Sequence, residues 1–310
     1  MNRLRRWLLP LLALLGAPAA AATVPAPKPV DLDPALWVVK DADTTIYLFG
    51  TVHALDGRGE WFNDEVKTAF DASNELVLEV VIPDDPAPLQ AILTKIAIEP
   101  TGPTLTDKLS PRGRTRLAAV LKKHQMPAVA LDRYKPFYAE MIVSSLEVTG
   151  LGLNRDSGVE MTLSRAATAA KKPIAGIETM DYQLGLFANL SEQEQLRTLE
   201  ESLGELGTLP DTVNKLTRAW GRGDADKVAA LLSDTGKQSP ALFKALVVDR
   251  NRHWAQWIAE RMKQPGTLFM AVGAVHLAGP QSLQHALRAY GLRANRVPHR
   301  DRLAISPPLG

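Results

Sequence analysis

The chain has no cysteine among its 310 residues. That excludes disulfides, so the fold must hold by burial alone, and it excludes lipid attachment through an N-terminal cysteine. A long apolar run is missing too. The most hydrophobic stretch lies in the opening MNRLRRWLLPLLALLGAPAAAAT and is about ten residues long, where crossing a bilayer takes about 20. Neither sign of charge dominates: lysine and arginine number 36, aspartate and glutamate 34, for a formal net charge of +2. There is no basic surplus to neutralise phosphate backbones and no nucleic-acid-binding motif. Repeats and low-complexity tracts are also lacking after the first residues.

What is present begins with Arg3, Arg5 and Arg6, an apolar segment and a run of alanines. This is the layout of a cleaved secretory signal peptide over residues 1–22, with the cut near Ala22. Its removal takes away three arginines and no acids, so the net charge becomes about −1. The expected destination is the periplasm or the exterior, with no stable membrane span once the signal is gone. A proline-rich leader, TVPAPKPVDLDP over residues 23–34, follows. Residues 35–310 then offer ample length for one large domain. Apolar residues at 45% and charged residues at 23% are ordinary for a globular chain.

The pattern along that domain predicts an α/β fold. ALWVVKDADTTIYLFG reads as two strands joined in a hairpin at DAD. A helix is expected over EWFNDEVKTAFDAS, a strand over ELVLEVVIP, and helices over most of 87–170. KPIAGIET returns to strand character. LSEQEQLRTLEESLGEL opens on a capping box of Ser191 and Glu194. Two helices broken at GRGD follow, then one long helix through ALFKALVVDRNRHWAQWIAERMKQ. TLFMAVGAV is a strand, QSLQHALRAYG a helix stopped by Gly291, and RANRVP a last short strand. The whole predicts a mixed central sheet flanked by helices, with a large helical insertion over about 85–150.

Two strands share an ending. YLFGTVHAL places His53 three residues after Gly50, and FMAVGAVHLAG places His276 three residues after Gly273. Two further strands carry acids, Glu79 in ELVLEVV and Glu178 in GIET. In open α/β sheets the ligand crevice lies beyond the carboxyl ends of parallel strands. If these four run parallel, His53, Glu79, Glu178 and His276 converge on one rim. Two imidazoles with one or two carboxylates form a ligand set for zinc, manganese or iron. A metal held there acidifies a water for hydrolysis, or one glutamate acts as general base. Taken singly, each residue is as well explained as a turn, core or surface residue; the repeated glycine–histidine spacing is what joins them. Arg250 and Asn251, on a helix with Trp254 and Trp257, read either as part of a solvated and aromatic helix or as a group holding a carboxylate, whether a peptide terminus or Glu79 itself. Asp156 and Glu160 in RDSGVEMTL are further acids that spacing alone does not place.

In order and over nearly all of the chain after the leader, YLFGTVHAL, ELVLEV, GVEMTLSRAATAAKKPIAGIET, RNRHWAQWI and FMAVGAVHLAGPQSLQHALRAYG resemble the TraB/GumN family. That family is similar to the Tiki metalloproteases and, more distantly, to erythromycin-esterase-like and ChaN-like proteins. The resemblance implies an α/β fold of that kind and a site built from His53, His276 and Glu79 as ligands of a divalent cation, manganese, cobalt or zinc. It assigns Glu79, Glu178 and Arg250 to catalysis, and Arg250 with Asn251 to the substrate. Glu160 stands where relatives often carry aspartate, which lengthens that side chain. The implied function is a periplasmic metal-dependent hydrolase, foremost a Tiki-like peptidase, acting on a peptide or small molecule. The alternatives are a binding protein that sequesters a peptide signal, haem or a metal, and an esterase-like hydrolase of small molecules.

Overall fold

The computed structural model describes residues 30–299, except residues 84 and 239 and the side chains of 232–238 and 241. The signal peptide expected over 1–22, and the leader as far as residue 29, lie outside the described residues. In chain order the strands are β1 (Val30–Asp31), β2 (Leu36–Lys40), β3 (Thr44–Thr51), β4 (Gly59–Glu60), β5 (Glu75–Leu78), β6 (Ile174–Gly176), β7 (Gly266–Gly273) and β8 (Asn295–Arg296). The first helices are α1 (Asp64–Ala72), α2 (Ala87–Ala97), α3 (Leu105–Lys108), α4 (Pro111–Lys123), α5 (Pro136–Gly150) and α6 (Val159–Ala169). After β6 come α7 (Met180–Ala188), α8 (Glu192–Glu205), α9 (Leu209–Gly221), α10 (Ala225–Gln238), α11 (Pro240–Phe243), α12 (Asp249–Arg261) and α13 (Leu283–Ala286). Among the described residues, no helix is long and apolar enough to cross a membrane.

The main sheet has six strands in the order β6-β5-β7-β3-β2-β8. The predicted hairpin is there: β2 and β3 pair antiparallel, with Trp37 opposite Leu48. The other pairings on the site side are parallel, β3 with β7, β7 with β5 and β5 with β6. The four strands expected to carry functional residues are therefore contiguous and point the same way.

Their apolar sequences follow from burial on both faces. Phe49, Leu76, Leu78, Phe269 and Ala271 face a layer formed by α1, α6, α9 and α10, with Val66, Phe70, Leu163 and Trp220 in contact. Ile46, Leu48, Val77, Leu268, Met270 and Val272 face the other way, onto Trp254, Ile258 and Leu283 of α12 and α13. A separate core joins α3, α4, α5, α7 and α8 around Leu117, Phe137, Val143, Leu184 and Leu199. The helical part over 85–150 thus shares its interior with helices from beyond β6.

Two expectations are corrected. Strand β5 ends at Leu78 and β6 at Gly176, so Glu79 and Glu178 lie just past the strands rather than inside them. The long helix expected over 241–264 runs without a break in helical backbone from Pro240 to Arg261, but it is not regular: a π-helical turn over Lys244–Val248 separates α11 from α12. A π turn inserts one residue into the helical repeat and is frequent at functional sites; here it directly precedes Arg250.

Candidate active site

Each expected residue sits at the carboxyl edge of the parallel strands. His53 follows β3, Glu79 follows β5, Glu178 follows β6, and His276 lies on a 3₁₀ turn, Ala274–Leu277, after β7. The two glycines before the histidines have different tasks. A Cβ on Gly50 would lie 3.2 Å from the Cα of Ala274, so this glycine lets the two histidine-bearing turns pack together. A Cβ on Gly273 would lie 3.2 Å from Glu79 Oε1, the atom to which Gly273 donates its N–H at 2.7 Å. Trp220 fixes the first turn from the other side by donating its indole N–H to the Gly50 carbonyl at 2.7 Å.

Arg250 is the centre of the arrangement, 3% exposed. Its Nε donates to Glu178 Oε1 at 2.9 Å and its Nη2 to Glu178 Oε2 at 2.7 Å, a bidentate pair. Nη2 also reaches Glu79 Oε2 at 2.5 Å. Nη1 meets the Leu246 carbonyl at 3.2 Å and His276 Nε2 at 3.1 Å. All five guanidinium N–H groups therefore have acceptors. Trp254 lies beneath, 4.6 Å from the guanidinium carbon to the ring centre, and gives its own N–H to Glu178 Oε1 at 2.8 Å. Gln183 bridges the carboxylates, at 2.8 Å from Glu178 and 3.2 Å from Glu79.

The tautomer of His276 follows from its neighbours. Asn251 donates through Nδ2 to the carbonyls of Gln281 at 2.7 Å and His276 at 3.4 Å, so its Oδ1 faces the ring. His276 Nδ1 must then carry the proton it gives to that oxygen at 2.8 Å, leaving Nε2 a lone pair. Burial, and then the charge of Arg250, push the His276 pKa down to about 3, which keeps the ring neutral. Burial alone would raise Glu79. Arg250 foremost, with the histidines and the Gly273 N–H, outweighs it and holds the carboxyl at about 2.

His53 has a different partner, and sequence reasoning left it unplaced. Glu160, at the start of α6, lies 2.6 Å from His53 Nδ1 and accepts from the Thr51 hydroxyl at 2.6 Å. Burial alone would lower the imidazole, but the charge and hydrogen bond of Glu160, with Glu79 behind, raise it to about 9. The longer acid in GVE is what bonds His53. The loop before α6 is tied to the histidine segment by backbone bonds, Leu55 with Asn154 and Val159 N–H to the Val52 carbonyl at 3.0 Å. A Cβ on Gly158 would lie 2.1 Å from the His53 carbonyl oxygen. Gly158→Ala is therefore expected to destabilise by about 1–3 kcal/mol through overpacking, with loss of whatever His53 does; an unchanged urea midpoint would contradict it.

The raised His53 pKa has a definite sign. A folded value near 9, above the ordinary imidazole value of 6.5, stabilises fully below pH 6.5, and that contribution is lost as pH rises through about 9. Metal-free protein is expected to lose stability across this window, and its His53 Hε1 resonance to titrate near 9. Glu160→Gln should flatten the stability profile and move the resonance down. A His53 resonance titrating at the ordinary value in the unsubstituted protein would contradict this reading.

His53, Glu79, Glu160, Arg250 and His276 all line one cavity of about 370 Å³, and the rest of its wall is mostly apolar, with Val81, Ile82, Met161, Leu216 and Trp220. Of the four residues expected on one rim, His53, Glu79 and His276 line this cavity, whereas Glu178 is not part of its wall and pairs with the buried face of Arg250. His276 Nε2 and Glu79 Oε1 are 3.7 Å apart, a separation two ligands of one ion can have, but His53, Glu79 and His276 do not together bring their ligand atoms within 4.8 Å of one another. Among the described residues, the group of three acids or imidazoles whose ligand atoms all lie within 4.8 Å of one another is Asp31, Asp33 and Asp64, around the β1–β4 edge.

Sequence comparison gives this arrangement relatives. The pattern of the TraB/PrgY/gumN family matches residues 35–296. The uncharacterised protein YbaP of Escherichia coli (strain K12) is 27% identical over 148 residues, covering 48% of this chain and 54% of YbaP. Metalloprotease TIKI1 of Danio rerio is 25% identical over 324 residues, covering 86% of this chain and 64% of TIKI1. The chain thus spans about half of YbaP and just under two thirds of TIKI1. No solved structure matches.

Proposed function

Because the chain belongs to the TraB/PrgY/gumN family, we propose that it is a hydrolase acting on peptide bonds, dependent on a divalent cation and working outside the cytoplasm. One observation carries this reading. At the carboxyl edge of parallel strands, two imidazoles and a carboxylate face a single apolar cavity, and each is oriented by a partner of its own. The relative named a metalloprotease supports the reaction class.

The donor chemistry fits a cation. Metal-binding histidines characteristically carry a second-shell partner on the other ring nitrogen. His53 has Glu160 on Nδ1 and His276 has Asn251 on Nδ1, so the Nε2 atoms are the ones left for coordination. Glu79, ionised, supplies the third donor. A cation would compete with Arg250 for the His276 lone pair and with a proton for His53. When bound, it supplies an acidified water or a polarised carbonyl.

The chain's own contributions are separate. Glu160 orients His53 and stabilises its protonated form. Arg250 holds Glu79 and Glu178 in place and sets a fixed positive charge behind the carboxylates, suited to a developing oxyanion. Asn251 fixes the His276 tautomer. Arg250 and Asn251 are accordingly positioning residues here, with their polar atoms already engaged by protein. The apolar wall keeps water from the reacting bond.

Protein purified without chelators is expected to carry, or to take up, manganese, cobalt or zinc, and to cleave members of a peptide library in a chelator-sensitive way. A chromogenic ester panel run beside it separates an esterase. No metal bound and none taken up on addition, with cleavage unaffected by chelator, would overturn the cation dependence. A second reading, a binding protein that sequesters a peptide, is favoured by the guanidinium contact on His276 Nε2. It predicts saturable peptide binding without products.

A further inference from the structure

We infer that Arg155 receives a carboxylate on the substrate, so that the cleft selects apolar chains bearing an acid group. The inference deepens the hydrolase reading and rests on it for the identity of the bound molecule as substrate.

Arg155 lines the same cavity as His53 and Glu79. Its position is held by the loop that holds His53: Asn154 N–H donates to the Leu55 carbonyl at 3.0 Å, and Gly158 N–H to the Arg155 carbonyl at 2.8 Å. Yet its guanidinium makes no hydrogen bond or ion pair with any described residue. The contrast is with Arg250, every N–H of which has an acceptor. The acids nearest to Arg155 in effect are Asp156, exposed beside it, and Glu160, whose Oε1 faces both His53 and Thr51. Burial is the main influence on the group and works against its charge.

A half-buried cation against apolar walls is unfavourable until an anion arrives. A planar guanidinium with its fork free matches a carboxylate in bidentate fashion. Around it the wall offers Met161, Leu153 and Leu216, which suit aliphatic side chains. A free C-terminal carboxylate or an aspartate or glutamate side chain supplies the same group, and the two sources are distinguished by experiment.

Calorimetry on the full chain at neutral pH uses three probes: N-acetyl-Leu-Val-Leu with a free carboxylate, its C-terminal amide, and the amidated N-acetyl-Leu-Glu-Leu. At least one acid-bearing probe is expected to bind about 10- to 100-fold tighter than the uncharged amide, with the advantage shrinking in salt. Tighter binding of the first identifies a chain terminus, of the third an acidic side chain. Arg155→Gln should abolish the advantage and Arg155→Lys keep part of it. Since Arg155 has no protein partner, neither variant is expected to shift the melting temperature. Equal binding of all three probes, no binding of any, or an advantage that survives in Arg155→Gln would overturn the inference. Mass spectrometry of the same peptides keeps the two readings apart. Acid preference without cleavage removes the hydrolase and leaves the carboxylate receptor, whereas cleavage indifferent to the acid group and to Arg155 does the reverse.

Discussion

Replacing Arg250 with methionine is expected to lower stability by about 3–5 kcal/mol and to abolish activity. The side chain is 3% exposed and pairs with two carboxylates, of which Glu178 has only 3% of its side chain exposed. Methionine fills much of the volume but leaves both acids without their cation, and breaking one side of a buried pair costs more than the pair contributes. Glu79, held at about 2 largely by Arg250, should rise steeply, because burial is then opposed by fewer charges. Arg250→Lys keeps the charge but not the two-pronged contact with Glu178, so a smaller loss is expected. Urea denaturation of the three proteins checks the order. A methionine variant as stable as the parent would show that the carboxylates are not held by this charge.

His53→Ala and Glu79→Gln should each reduce turnover by about 10²–10⁴-fold while differing in their effect on the fold. His53 keeps 27% of its side chain exposed and has one anionic partner, which also accepts from Thr51. At pH 9, where the stabilisation from its raised pKa is fading, the alanine variant should melt close to the parent. Glu79→Gln removes a charge facing Arg250 and turns one of two accepting oxygens into an NH2 donor, so either the Arg250 Nη2 or the Gly273 N–H loses its acceptor and the variant should lose stability as well as activity. Turnover that persists in both would place the chemistry elsewhere in the cavity.

The strands and their shared endings were legible because β3 and β7 are buried on both faces. Such strands must be unbroken apolar runs, so a glycine and a histidine at the end stand out. Glu79 and Glu178 were legible for the same reason, as acids beside apolar strands. Glu160 was not, since it reaches the site from the first turn of a helix, 109 residues from the Thr51 it also bonds. Gln183 gave no signal on a helix whose pattern marks it only as buried. The π turn before Arg250 was hidden because an apolar spacing of three and four residues continues across it. That the guanidinium would lie between the two glutamates and against His276 is a matter of distance in space, which spacing along a chain does not encode.

The pairing of β3 with β7 brings Gly50 beside Val272 and Thr51 beside Gly273. The strand at the heart of the sheet is thus made late, with β8 alone of the sheet's strands still to come, and the β2–β3 hairpin waits without its neighbour while most of the polypeptide is synthesised. Contacts so distant in order slow folding. No fragment ending before residue 276 can assemble this site, because His276 follows the strand that completes the pairing.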